Sequence, residues 1–306
     1  MDFQLTEDQV ALRDGLRALL EGRFTLRDAT ERLDRTLWRE LGDAGFFSLA
    51  LPEAEGGVGL GLPEAVLVFE EAGRALLPGP AVASFLAAGD VPGAASGEVV
   101  VTAVDGALVP WLDEADVVLG DVTGAEPLRS VDPLTPLHRV RGAEAAARGT
   151  QGAQGTQGTQ GLRGARGARG ARRAEATLLY AAEQLGSATR TCGTAVQYAR
   201  EREQFGRPIG AFQAVKHLCA QMLVRAEVAR AAVYAAAVTK DPTEIAGAKL
   251  LADDAAVRNA RDCLQVHGGM GFTWEADVHL HLKRAWVRAE LGCSARDAEE
   301  ELAAAL

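Results

Sequence analysis

The sequence predicts a mainly α-helical protein with a reduced β domain between an N-terminal helical domain and a C-terminal four-helix bundle. Three observations carry this. Apolar and small residues recur at alternating spacings of three and four over long stretches near both ends. β-prone runs are short and confined to the middle, from about Glu98 to Val140. The composition is 48% hydrophobic but only 5% aromatic, as in Ala/Leu/Val-rich helical proteins. A chain of 306 residues has room for two or three such parts. We place their boundaries at 1–92, 93–147, a Gly-rich linker at 148–172, and 173–306.

Thr6 with Gln9 reads as a capping box that opens a helix with Leu12, Leu16, Leu19 and Leu20 on its apolar face. Leu33, Leu37, Trp38 and Leu41 mark a second helix, ending near Gly42 or Gly45. Leu51-Pro52-Glu53 and the run Gly56 to Gly61 form a loop. Pro63 starts a third helix, Ala65 to Leu77, and Pro78-Gly79-Pro80 stops it. The β-prone runs are Val99–Val104, Ala107–Val109 and Val117–Leu119, with Asp105-Gly106 as a hairpin turn signal between the first two.

Between Arg148 and Ala171 glycine recurs every third residue, without proline. Each glycine would cost a helix about 1 kcal/mol relative to alanine, so a loop or linker is expected. The arginines there, up to Arg172 and Arg173, read as a solvated charge run or as contacts to an anion. Beyond the linker, Leu178, Ala182, Leu185, Thr189, Cys192, Val196 and Ala199 form one narrow seam. Phe212, Val215, Cys219, Met222, Ala226, Ala229 and Val233 form another. Helices with such seams pack closely and antiparallel. Asp241-Pro242 separates them from a third helix reaching Val266, and Asp277 to Arg288 supplies the fourth.

The formal charge of −10 argues against nucleic acid or anionic lipid as a partner. The four cysteines show no metal-ligand spacing, so neither zinc nor a disulfide framework is expected, and a reducing cytoplasm is the expected location. The acidic, polar start does not read as a signal peptide, and no apolar run is long enough to span a membrane.

Two helix junctions carry the chemistry. The first is Tyr198-Ala199-Arg200-Glu201-Arg202-Glu203-Gln204-Phe205-Gly206-Arg207-Pro208-Ile209-Gly210. The second is Gln265-Val266-His267-Gly268-Gly269-Met270-Gly271-Phe272. An arginine fork suits phosphate oxygens, and adjacent glycines permit close backbone approach with amides free for an anion. The competing readings are an ion pair of Arg202 with Glu201 or Glu203, and a plain glycine helix cap. His267 reads as a hydrogen-bonded helix-end residue.

In order, spacing and helical context these junctions resemble the acyl-CoA dehydrogenase family, flavoenzymes that desaturate acyl thioesters. Trp38-x-x-Leu41-x-x-x-Gly45, Leu51-Pro52-Glu53 and Glu70-Glu71-Ala72-Gly73-Arg74 are similar to that family's first domain. The resemblance implies FAD as cofactor, with a small β-barrel remnant between the helical parts. It also implies that Arg202, Gln204, Phe205, Gln213, Gln265, Gly268 and Gly269 contact the FAD of a neighbouring subunit's active site. An acyl-CoA substrate and an electron-transfer flavoprotein as acceptor follow from the same resemblance.

Two family elements are missing. Val101 to Val104 runs directly into Asp105-Gly106, leaving no room for the segment that covers the flavin, although Val131-Asp132-Pro133 resembles a late strand of that domain. The family's usual glutamate base falls at Gly292 by gapless spacing; its alternative position falls at about Ala176. Glu290 and Glu175 are the nearest carboxylates and the only candidates, with exposed surface carboxylates as the competing reading. Glu183 fits a buried polar role. This pattern resembles the shortened partner subunits of heterotetrameric actinobacterial acyl-CoA dehydrogenases. The partner would then be a full-length paralogue that carries the base. A self-sufficient homo-oligomer and a non-catalytic helical interaction protein without flavin are the alternatives.

Overall fold

The computed structural model describes residues 4–24, 32–140 and 159–305, with the side chains of 159–171 excepted. Helix α1 (Glu7–Arg23) opens on the expected capping box: Gln9 N–H donates to Thr6 Oγ1 at 3.2 Å, and Thr6 N–H donates back to Gln9 Oε1 at 3.1 Å. Helix α2 (Arg35–Asp43) is capped by Asp34, and α3 (Leu62–Ala75) carries proline in its first turn. A short α4 (Ala81–Ala87), not anticipated from the pattern, follows Pro78-Gly79-Pro80. Trp38, Phe46, Phe47, Phe69 and Phe85 pack ring to ring in this first core.

The β region differs from the expected hairpin. Strand β1 (Val101–Ala103) pairs in parallel with β3 (Val117–Leu119), while β2 (Leu108–Pro110) pairs antiparallel with β5 (Leu137–Arg139), which also takes β4 (Glu126–Leu128). A two-residue type I′ hairpin requires positive φ at both central residues, and neither Asp105 nor Gly106 has it. The connection crosses between sheets, and β1 and β2 meet through the Thr102 hydroxyl, which donates to the Pro110 carbonyl at 2.7 Å. Val131-Asp132-Pro133 is a turn rather than a strand, because the buried Asp132 carboxylate accepts from Leu134 N–H and the Thr135 hydroxyl. No barrel closes among the described residues.

Helix α5 runs from Thr159 to Glu201, 43 residues. The linker expected over 148–172 is therefore corrected in its second part, where the Gly-Ala-Arg triplets are helical; residues up to 158 lie outside the described residues. A helix nucleated by the packed stretch from Ala174 onward propagates through weak formers at small cost per residue. Arg172 pairs with Asp90, and Arg173 reaches Asp297 at 3.4 Å and Asp105 at 3.7 Å. These arginines tie the helix to its surroundings.

Helices α6 (Gln213–Thr239), α7 (Pro242–His267) and α8 (Val278–Arg288) complete the four-helix bundle, and α9 (Ala295–Ala304) packs on α7. None of the described helices is long and apolar enough to cross a membrane.

The first domain docks on the bundle where α3 crosses α5. A Cβ on Gly186 would lie 1.8 Å from the Glu70 carbonyl oxygen, and one on Gly73 would lie 2.0 Å from that of Glu183. A second tie is the Arg284 guanidinium on α8. It pairs with Asp132 and donates to the Leu77 carbonyl at 3.1 Å, just past the end of α3. Burial works against ionising Asp132, yet Arg284 and the neighbouring donors hold its carboxyl below the usual range. Within the bundle, Ser187 Oγ lies 2.7 Å from His281 Nδ1 in the seam between α5 and α8. Burial, followed by Arg190, Arg288, Arg284 and Arg74, pushes the His281 pKa down to about 3.

Two predictions follow from these contacts. Gly186→Ala forces the helices apart and should cost about 1–3 kcal/mol in chemical denaturation. Gly193→Ala, on the same helix with open space around it, should instead gain about 1 kcal/mol. His281 should remain neutral at pH 5 by NMR. Its contribution to stability is complete above about pH 6.5 and is lost as the pH falls toward 3, a slope that His281→Gln removes.

Candidate functional site

Helices α5 and α7 run parallel, each antiparallel to α6, so the two junctions lie at the same end of the bundle. They touch: the Tyr198 ring stacks on His267 with centroids 4.1 Å apart. His267 Nδ1 donates to the Cys263 carbonyl at 2.8 Å, the helix-end role expected for it.

The first junction is a two-residue hairpin. Glu203–Gln204 pairs with Arg207–Pro208, and Phe205 and Gly206 form the turn at φ +56° and +76°. Positive φ at both positions matches the type I′ geometry that suits the twist of the strands. For phenylalanine this conformation costs about 1–2 kcal/mol. The ring gains little from it within the chain, since Phe205 is 91% exposed and touches only the edge of Phe212 at 6.0 Å. Arg207 lies over the Phe212 ring at 4.4 Å.

Arg202 is exposed and makes no ion pair among the described residues, although it stands between Glu201 and Glu203. Glu201 accepts instead from Gln197 at 3.0 Å. Gln204 donates its amide to the Glu203 carbonyl at 2.7 Å, and Gln213 is exposed in the first turn of α6.

At the second junction Gly268 takes φ +60° and ψ −140°, a conformation favouring glycine, and turns the chain out of α7. A Cβ on Gly269 would meet nothing within 4 Å, so its backbone stands open to an approaching group. Gln265, Gly268 and Gly269 are exposed. All seven expected contacts therefore lie at one end of the bundle.

The candidate bases are elsewhere. Glu175 is half-buried near the start of the packed part of α5, its pKa raised first by burial, with Lys240 and Arg172 opposing. It lies roughly 40 Å from Arg202 along α5 at 1.5 Å per residue. Glu290 is exposed in the turn after α8. Gly292 has φ +73°, and a Cβ there would lie 3.1 Å from Tyr180 and 3.2 Å from Thr177, so the position is closed to a glutamate side chain.

The space beside Gly292 is filled by groups that sequence patterns do not reveal. Glu183 and Arg288 form a buried ion pair at 3.0 Å, with Tyr180 and Trp111 around it. Burial pushes the Glu183 pKa up while Arg288 and Arg284 oppose it; burial lowers that of Arg288 to about 10. The cavity left there is about 30 Å³, room for one water but not for an acyl thioester. Arg288 and Glu183 sit 105 positions apart in sequence, and no local signal links them.

Known proteins agree with this architecture. Residues 6–94 match the acyl-CoA dehydrogenase N-terminal domain model and residues 160–292 the C-terminal domain model. The acyl-CoA dehydrogenase IpdE2 of Mycobacterium tuberculosis is 36% identical over 288 residues, covering 86% of this chain and 84% of that protein. The ChsE4-ChsE5 complex from Mycobacterium tuberculosis superposes with a TM-score of 0.77 at 25% identity, covering 99% of this chain and 98% of the matched one. Butyryl-CoA dehydrogenase from Megasphaera elsdenii shares the fold, with a TM-score of 0.80 at 18% identity over 100% of this chain and 99% of that one. The chain thus belongs to the acyl-CoA dehydrogenase family, oxidoreductases that act on the CH–CH group of acyl-CoA.

Proposed function

We propose that this chain is the subunit that completes the FAD site of a partner acyl-CoA dehydrogenase chain carrying the catalytic base. The observation that carries the reading is the first junction. A strained phenylalanine stands in solvent at its tip, and a permanent cation at its base is unclaimed by adjacent carboxylates. The donor set fits the nucleotide half of FAD: a forked cation, open backbone at Gly268 and Gly269, carboxamides at Gln204, Gln213 and Gln265, and an aromatic face. Among the described residues no comparable donor set for the flavin ring stands beside Gly292, where a Cβ would already meet Tyr180 and Thr177.

The roles of this chain's residues follow from their chemistry. Arg202 donates its N–H groups to phosphate oxygens and neutralises their charge. Phe205 covers the cofactor and excludes water. Gly268 and Gly269 let the backbone approach, while Gln265 orients the adenosine end. Bound there, FAD supplies the hydride acceptor for α,β-desaturation and is reoxidised by an electron-transfer flavoprotein. Removal of the α-proton and binding of the acyl-CoA fall to the partner. The relation to one chain of a two-component complex supports a hetero-oligomer.

Co-expression with a full-length paralogue should give yellow, active complex, whereas this chain alone should bring down no stoichiometric FAD. Yellow, active protein from this chain alone overturns the reading. Within the complex, Arg202→Ala should lose about 1.5–3 kcal/mol of FAD affinity, read by flavin fluorescence titration. Glu290→Gln and Glu175→Gln should leave turnover within about twofold of the parent, since neither touches the reacting atoms; abolished turnover with FAD retained would place the base in this chain.

A further inference from the structure

A cleft of about 540 Å³ lies between α1, α3, α5 and the segment entering α8, apart from the nucleotide contacts proposed above. We propose that it is a binding site for a small organic anion, with an oxyanion head on Arg74 and Arg190 and an apolar body against Leu20, Phe24 and Val278. The volume lies in the range of small-molecule sites, and the walls are divided by chemistry as such sites require.

Three arginines line the cleft and only one is closely neutralised. Arg17 holds both oxygens of the buried Glu71, at 2.5 and 2.8 Å. Arg74 has carboxylates no nearer than 3.6 Å, at Glu71, and 4.0 Å, at Glu21. Arg190 has no ion pair among the described residues and is exposed. Two guanidinium groups thus bring poorly compensated charge to one half-enclosed space, where an anion is worth more than in open solvent.

The crowding registers on the neighbours. Burial first, then Arg17 and Arg190, lower the pKa of Arg74, and Arg190 and Arg74 both help to keep the buried His281 neutral. The mouth selects for size and charge. Glu21 and Asp277 are exposed among the lining residues and repel a polyanion, which favours a head of one or two charges over a nucleotide.

The test is calorimetric titration of the chain, in the complex it forms, with hexanoate and with hexyl phosphate. These share a six-carbon body and differ in their head group. At least one should bind saturably, and the tighter of the two names the head group. Arg190→Gln, a change at an exposed position that leaves the fold intact, should weaken binding about tenfold or more. Arg74→Lys keeps the charge but loses the fork and should weaken it less. Arg258→Gln, on the exposed face of α7, should change nothing. Failure of both probes to bind, or binding unaltered in both Arg190→Gln and Arg74→Lys, overturns the proposal.

Discussion

Helix α5 is the constraint on which the rest of the molecule depends. It passes unbroken from Thr159 to the first junction, so groups at its two ends are held apart by its length. Gly73 and Gly186 let α3 lie on it at backbone contact, which brings the whole first domain against the bundle. Everything that touches α5 near Tyr180 is therefore tens of ångströms from Arg202. The proposed two-subunit reading rests on that separation.

Buried charges organise the other end of the molecule. Taking Glu183 and Arg288 out of water is unfavourable unless each is matched, and the two form a buried pair at 3.0 Å. Arg284 does similar work nearby, joining the turn at Asp132 to the Leu76 and Leu77 carbonyls just after α3. These pairs hold the first domain, the β region and α8 in a single register. Glu183, Arg284 and Arg288 also line a cavity of only about 30 Å³.

At the junction end the balance is reversed. Phe205 accepts an unfavourable backbone conformation without gaining burial, and Arg202 keeps its charge in solvent with carboxylates on either side. A folded chain with no use for these features would relax them cheaply, by a glycine at the tip or an ion pair at the base. Phe272 and Trp274, just after the second junction, are exposed as well.

Much of this was legible in residue order, because helices declare themselves through spacing. The capping box at Thr6 and the seams through Leu185 and Ala229 depend on contacts within a few residues, and so do the stops at Pro242 and Gly268. The family motifs marked both junctions for the same reason. What tertiary structure decided was everything joined across long separations: the parallel pairing of β1 with β3 in place of a hairpin, Asp132 turning inward to meet Arg284, the helical course of α5 through the Gly-Ala-Arg triplets, the Glu183–Arg288 pair and the arginine-lined cleft. Local propensity is a fraction of a kilocalorie per residue to about one, whereas a buried charge without its partner costs several. Those pairings therefore overrule local preference, and only the folded chain shows which residues they join.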